Sequence, residues 1–419
     1  MSEVAAGPAS AEKRPPSLDG VRVLELGSFV AGPFAGQILG DHGAEVIKIE
    51  PPGAGDPMRQ WGICKDGRSL WWPAIARNKR SVAVDMRTDA GQEVVRRLAA
   101  EVDVVLENFT PGRLAAWGMA YEDLAVVNPG VILTHVSGFG QTGPRASQPG
   151  FGSVGEAMGG IRHLTGWPDR TSTRAGISLG DEITAMFAVT GTLAALNERH
   201  RSGRGQEVDV AIYESVFAFM ESLVADYELA GQIRGRSGPV LAGVAPSNVY
   251  PTADGMDVLV AANGDALFRR LADAMGRPEL ADDERYATHG ARAVNQDDLD
   301  DLIADWTSSL KAGELTALLD DVAVPNGLIY TAADISTDAH YAARGTIERV
   351  HDRGLGITVP MATVLPRLSA SPGVIRSTGP ELGEHTHWAL TEIAGYDGGE
   401  VDALVQAGVV TIGTAHEGK

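Results

Sequence analysis

The 419-residue sequence has almost no cysteine, no excess of basic residues and no long apolar run. Its one cysteine, Cys64, excludes an internal disulfide framework and a cysteine metal cluster, and fits a reducing, cytoplasmic setting. Lys and Arg number 35 against 55 Asp and Glu, a net charge of -20. That balance excludes the basic footprint of a nucleic-acid binder. It leaves room for a phosphate-bearing small ligand, which needs only a few local cations and helix N-termini. No apolar stretch reaches the roughly 18 residues that a membrane span needs. Residues 1–17, "MSEVAAGPASAEKRPPS", lack an apolar signal region and read as a disordered tail. The sequence contains no H-E-x-x-H, no phosphate loop of the type G-x-x-x-x-G-K-[ST] and no G-x-S-x-G elbow. His385 and His387 form only an H-x-H in a polar turn, so no metal site is expected.

What is present is a core and an alternation. Hydrophobic residues make up 44% of the chain, enough for about two or three domains. The 51 glycines and 22 prolines are spread along the chain and read as turns. Short β-branched strands are expected at 21–27 ("VRVLELG"), 45–50, 81–86, 102–108 and 131–138, and again at 207–212. Between them lie helical patterns. In 90–102 the residues Val94, Val95, Leu98 and Ala99 share one face, and Thr88 or Asp89 stands at the cap. Such alternation predicts an α/β fold with a parallel sheet and right-handed crossovers. Ligands on such sheets bind beyond the strand C-termini. Residues 138–180 read as a long glycine-rich loop, followed by a helix over 181–200 and a long helix over 213–231. Beyond residue 225 a smaller α+β unit is expected, with acidic helices over 295–322.

Gly27, Gly32 and Gly36 follow the first strand without the G-x-G-x-x-G spacing, which argues against a dinucleotide site. A helix is expected near Pro33, whose N-terminus is able to face an anion. Arg77, Lys79 and Arg80 crowd the turn "ARNKRS", either as a solvated turn or as a phosphate contact. Taken alone, Asp181 in "SLGDEITAMF" is an ordinary helix cap.

Several segments in order change that reading. "LDGVRVLELGSFVAGPFAGQILGDHGAEVIKIEPPGAGDPMRQWG", "NKRSVAVDM", "VVLENFTPGRLAAWGM", "GFGQTGPRASQPGFG" and "GISLGDEITAMFAVTGTLAALNERHRSGRGQEVDVAIYES" together resemble the class III CoA-transferases. The resemblance runs from Leu18 to about His385. It implies a Rossmann-like large domain (18–224), a smaller inserted domain (225–335) and a C-terminal part (336–419) that returns to the large one. It also implies an interlocked homodimer. The family's catalytic aspartate falls on Asp181. The stretch lining the thioester falls on Phe29, Val30 and Ala31. CoA contacts fall on Asn78, Lys79, Arg80, Asn108, Phe109 and Arg145, and a further family cation aligns with Ala116, for which Arg113 is the expected substitute. CoA enters as a thioester substrate, with no tightly bound cofactor, and a small carboxylic acid is the acceptor.

Racemases of this family carry Gly-His-Asp where this chain has Gly150-Phe151-Gly152, and a phenylalanine moves no proton. The expectation is therefore a transferase. A racemase or isomerase, or a catalytically silent CoA-binding subunit, are the alternatives. The segment around "GGIRHLTGWPDRTSTRAG" resembles the branch acting on C4–C5 dicarboxylates. Arg162, His163 and Arg174 are then candidates for the carboxylate that does not react.

Overall fold

A computed structural model describes residues 14–413. Of the expected tail, residues 1–13 lie outside the described part, while the Arg14 N–H donates to the Ala370 carbonyl at 2.9 Å. The described chain divides into two compact units. The first takes residues up to Ile161, Gly176–Glu221 and the residues from Gly345 on; the second takes Arg162–Ala175 and Ser222–Arg344.

The first unit is built on a seven-stranded sheet. Its strands are β1 (Arg22–Glu25), β2 (Glu45–Glu50), β3 (Lys79–Val84), β4 (Val104–Glu107), β5 (Ile132–Ser137), β6 (Glu207–Ala211) and β7 (Val410–Thr411). The spatial order is β7-β3-β2-β1-β4-β5-β6. The first six are parallel, with Val23 level with Val46 and Val104, and β7 closes one edge antiparallel to β3. This is the doubly wound order, and it confirms the expected α/β class. Successive residues feed opposite faces. Leu24, Ile47, Val82 and Val105 pack with Val94, Val95 and Leu98 on one side. Val23, Val46, Val104 and Ile132 pack with Ala185, Ala188 and Val189 on the other. Both faces are covered, which is why these strands read as near-continuous apolar runs.

The main helices on the sheet are α1 (Ala31–Asp41), α2 (Asp89–Ala100), α3 (Gly152–Met158) and α4 (Leu179–Ser202). Thr88 caps α2, accepting from the Gly91 N–H at 3.0 Å. By length and composition α4 could cross a membrane, yet half of its apolar window is buried inside the fold. A buried hydroxyl pair at 2.8 Å, Thr134 with Thr192, ties it to β5.

Three expectations are corrected. Pro33 is the third residue of α1 rather than the first, because the helix starts at Ala31. The glycine-rich loop contains α3 and a short turn at Ile161–Leu164, since Gly155 and Gly159 let α3 lie against Ile212 and Val216. The long helix over 213–231 is two helices, Ile212–Phe217 and Leu223–Ala230, broken where Glu221 takes a φ of 53°.

The second unit is α+β. Its antiparallel sheet sets Asp257–Ala261 between Ser247–Pro251 and Asn326–Leu328. The acidic helices appear as Gln296–Thr307 and Ala312–Asp321. Arg292 is fully buried there, held by the Tyr286, Asn263 and Ala245 carbonyls and by Asp265 at 2.7 Å.

Candidate active site

The strand order reverses between β1 and β4. From there one half of the sheet winds towards β3 and the other towards β6, and the two loops diverge. A cavity of about 470 Å³ lies at the C-terminal ends of the strands. The loop after β1 supplies Ser28–Ala31, the loop after β4 supplies Asn108, Phe109 and Arg113, and Gly150, Phe151 and Asp181 close the far wall.

The two loops are tied together. The Ser28 N–H donates to Asn108 Oδ1 at 2.9 Å, and Asn108 Nδ2 donates back to the Ser28 carbonyl at 2.8 Å. Gly27 permits this, because a Cβ there would sit 2.9 Å from Asn108 Oδ1. Phe29 has a φ of 66°, the left-handed region. For a residue with a side chain this costs on the order of 1–2 kcal/mol. Its ring meets Trp61 and Phe151 edge-on, at centroid distances of 5.4 and 6.2 Å. The first helical bond of α1 returns from the Phe34 N–H to Val30 O, which leaves the N–H groups of Ala31 and Gly32 unused by the helix. No side chain caps this terminus. It is a natural place for an anion or a developing oxyanion.

Asp181 is not the cap of α4. That position belongs to Ser178, and Asp181 lies half-buried in the first turn. Its carboxylate rests against the Cα of Gly152, where an added Cβ would stand 2.2 Å from Oδ2. The Gly180 N–H donates to the buried Glu156 at 3.2 Å, so α3 carries the start of α4.

Beside the cavity, His135 is buried on β5. Its Nδ1 lies 2.5 Å from Glu107 Oε1 and its Nε2 3.2 Å from Glu207 Oε1. Glu107 Oε2 also accepts from the Phe109 N–H at 2.5 Å and so shapes the β4 loop. Burial disfavours the imidazolium, but the hydrogen bond and charge of Glu107, then Glu207, outweigh it and raise the His135 pKa above 6.5. A raised value gives a stabilisation that is complete below the unfolded pKa and lost as pH rises through the folded one. We therefore expect the advantage of the wild type over His135→Gln to shrink as pH rises above the ordinary histidine value of 6.5, read by thermal unfolding. An advantage that holds or grows with pH contradicts this.

The structure sorts the expected residues. Phe29, Val30, Ala31, Asn108, Phe109, Arg113 and Asp181 share the cavity. Asn78, Lys79 and Arg80 do not join them. Asn78 directly precedes β3 and Lys79 and Arg80 begin it, and the strand's six residues separate them from its C-terminal end by roughly 17 Å. Lys79 is fully buried, 2.8 Å from Glu25, with its ammonium also donating to Pro33 O at 2.6 Å. Burial draws its pKa down to about 8 against the pull of Glu25. Asn78 bonds Asp41 at 2.7 Å, and Arg80 pairs with Glu45 at 3.1 Å while lying over the Trp388 ring. These three instead line a different cavity of about 650 Å³ at the other end of the strands. Besides Arg113, Arg87 reaches the 470 Å³ cavity, just past the C-terminal end of β3. Its sequence signal was its place directly after "SVAVDM". Arg145 is exposed, 3.6 Å from Met158 Sδ, and is not part of the cavity wall. Arg162, His163 and Arg174 fall on Arg162–Ala175, which groups with the second unit. Among the described residues no cluster of three or more His, Cys, Asp or Glu is placed to hold a metal.

The model of the CoA-transferase family III matches residues 18–386. The chain is 55% identical over 399 residues to a succinyl-CoA–D-citramalate CoA-transferase of Chloroflexus aurantiacus, covering 95% of this chain and 99% of that one. It is 39% identical to the alpha subunit of a succinyl-CoA–L-malate CoA-transferase of the same organism, covering 92% and 91%. Among solved structures, a CaiB/BaiF family protein from Brucella suis superposes with a TM-score of 0.80 at 37% identity, over 91% of this chain and 100% of that one. The chain belongs to the CoA-transferase family III.

Proposed function

We propose that this enzyme moves CoA from succinyl-CoA to a small dicarboxylic acid, with Asp181 as the nucleophile. The observation that carries this reading is the placement of Asp181 in one cavity with the Phe29–Ala31 turn and the cations Arg87 and Arg113. The succinyl-CoA relatives support the substrate class.

The chemistry follows from a single carboxylate. An Asp181 oxygen attacks the thioester carbonyl, and collapse expels CoA thiolate, leaving a mixed anhydride. The thiolate attacks the aspartyl carbonyl, releases succinate and leaves an aspartyl-CoA thioester. The acceptor carboxylate attacks that thioester, expels the thiolate and forms a second anhydride. The thiolate then attacks the acceptor's acyl carbon, giving the new thioester and restoring Asp181. The overall exchange trades one thioester for another of similar energy, with the anhydrides as the high-energy intermediates. N–H groups at the start of α1 stabilise the oxyanions. The Phe29 and Phe151 rings in the cavity wall are the apolar groups that would limit water at the anhydrides.

In this reading Phe29, Val30 and Ala31 face the thioester. Asn108, Phe109, Arg113 and Arg87 hold the CoA, and Arg162, His163 or Arg174 takes the substrate's second carboxylate. An interlocked homodimer belongs to the same reading. The large exposed apolar side chains Met186, Phe187 and Leu193 of α4, with Phe217 and Phe219, support it as a face for a second chain. A cytoplasmic location and a small inserted domain near 225–335 complete it.

The test is a donor-by-acceptor screen. Succinyl-CoA is offered with malate, citramalate, mesaconate or itaconate, and acyl-CoA products are separated by chromatography. The expected result is a new dicarboxyl-CoA, and inactivation by hydroxylamine only after exposure to succinyl-CoA. Deuterium exchange at the α-carbon of a branched acyl-CoA, with no acid acceptor required, would establish a racemase instead. CoA binding without any turnover would establish a silent subunit.

A further inference from the structure

We infer that the buried ion cluster beneath the Gly27–Val30 turn is a positioning device for the reacting thioester, and that Asp56 is its working member. The inference rests on the reading that acyl-CoA reacts beside this turn.

Phe29 holds its left-handed backbone without being a glycine, so something must hold the turn there. Asn108 grips Ser28 from the cavity side. From beneath, Asp56 Oδ1 accepts from the Phe29 N–H at 3.3 Å and the Met58 N–H at 2.9 Å. Its other oxygen, Oδ2, pairs with the Lys48 ammonium at 2.8 Å. Lys48 in turn donates to the Gly27 carbonyl at 2.8 Å. One ion pair thus grips the turn at residues 27 and 29.

The pair is itself fixed. Lys48 reaches Glu25 at 2.9 Å, and Glu25 reaches Lys79 at 2.8 Å, so two carboxylates face two ammonium groups. All four side chains are at most 1% exposed. The Asp56 N–H donates to Glu50 at 2.9 Å, and Arg59 clamps Glu50 with two bonds of 2.7 Å. Burial works against the Asp56 anion, and Lys48 overrides it and holds the carboxyl below its ordinary pKa. Such a cluster is a costly way to stabilise a fold, since apolar side chains of the same volume do as well or better. It is a good way to fix one backbone conformation at a cavity wall, because neither oxygen of Asp56 has freedom to move.

Asparagine at 56 has one carbonyl oxygen. It serves the turn or Lys48, but not both. Glycine at 29 adopts the left-handed conformation without strain and needs less holding. The experiment is a double-mutant cycle of Asp56→Asn and Phe29→Gly, with kcat and KM for succinyl-CoA measured separately. Asp56→Asn is expected to lower kcat about 30-fold and to move KM less than about 3-fold. In the Phe29→Gly background the same change is expected to cost less than about 3-fold in kcat. An equal loss in both backgrounds, or a lowered melting temperature with kcat intact, overturns the inference. Should Asp56→Asn not accumulate as folded protein, Lys48→Arg enters the same cycle with the same two outcomes. Trapping the aspartyl adduct with hydroxylamine tests the nucleophile separately. Absent coupling with the adduct still formed sinks this inference alone.

Discussion

Asp181→Ala is expected to lower the rate of CoA transfer by about four orders of magnitude or more, with the protein still folded. Asp181→Asn, which keeps the shape of the side chain, is expected to do the same. The loss is large because every step of the proposed exchange passes through a covalent bond to this carboxylate, so that removing it would remove the path rather than slow one step. Stability should change little. Asp181 lies partly buried in the first turn of α4, where a carboxylate near a helix N-terminus contributes a few tenths to about 1 kcal/mol. The measurements are succinyl-CoA turnover with an acid acceptor, and thermal unfolding of each variant. Turnover in either variant within about 100-fold of the wild type would remove Asp181 from the mechanism.

Gly152→Ala should lower kcat by about 100-fold while leaving the fold intact. An added Cβ at 152 would stand 2.2 Å from Asp181 Oδ2 and 2.6 Å from its Cγ. The backbone of α3 is packed against Ile212 and Val216 at two further glycines, so it does not retreat. The short Asp181 side chain turns away instead, and a displacement of about 1 Å at a reacting atom is worth about two orders of magnitude. Alanine is the better helix former by roughly 0.5–1 kcal/mol, so lost stability does not explain the result. A Gly152→Ala enzyme with unchanged kcat would mean that the position of the carboxylate seen here is not the reactive one.

How far each feature could be read from the sequence depends on how local its cause is. The strands at 45–50 and 207–211 and the helix α2 follow from apolar patterning and a Thr88 cap within a few residues. Asp181 stood out because its neighbours form part of a chain-long run of motifs, although its place in the first turn and not at the cap was not visible. Lys79 shows the limit. In "NKRS" it is a cation in a turn, and nothing nearby in sequence reveals that its charge is spent on Glu25, 54 positions earlier. Arg87 shows the converse. It is an exposed arginine paired with Asp85 at 2.8 Å, and it gains its place at the cavity only because β3 ends there.

The sequence by itself determined the α/β class, the parallel strands, the family and the carboxylate, Asp181, that we propose as the nucleophile. Those are consequences of local periodicity and of motifs that are contiguous in the chain. Tertiary structure alone decided which end of each strand meets the cavity, which cations reach it and which are consumed inside, and what holds Phe29 in its left-handed turn. Each of these rests on register and burial between segments tens of residues apart. Burial changes what a charge meets: in the core the Lys79 ammonium pairs with Glu25 and donates to the Pro33 carbonyl.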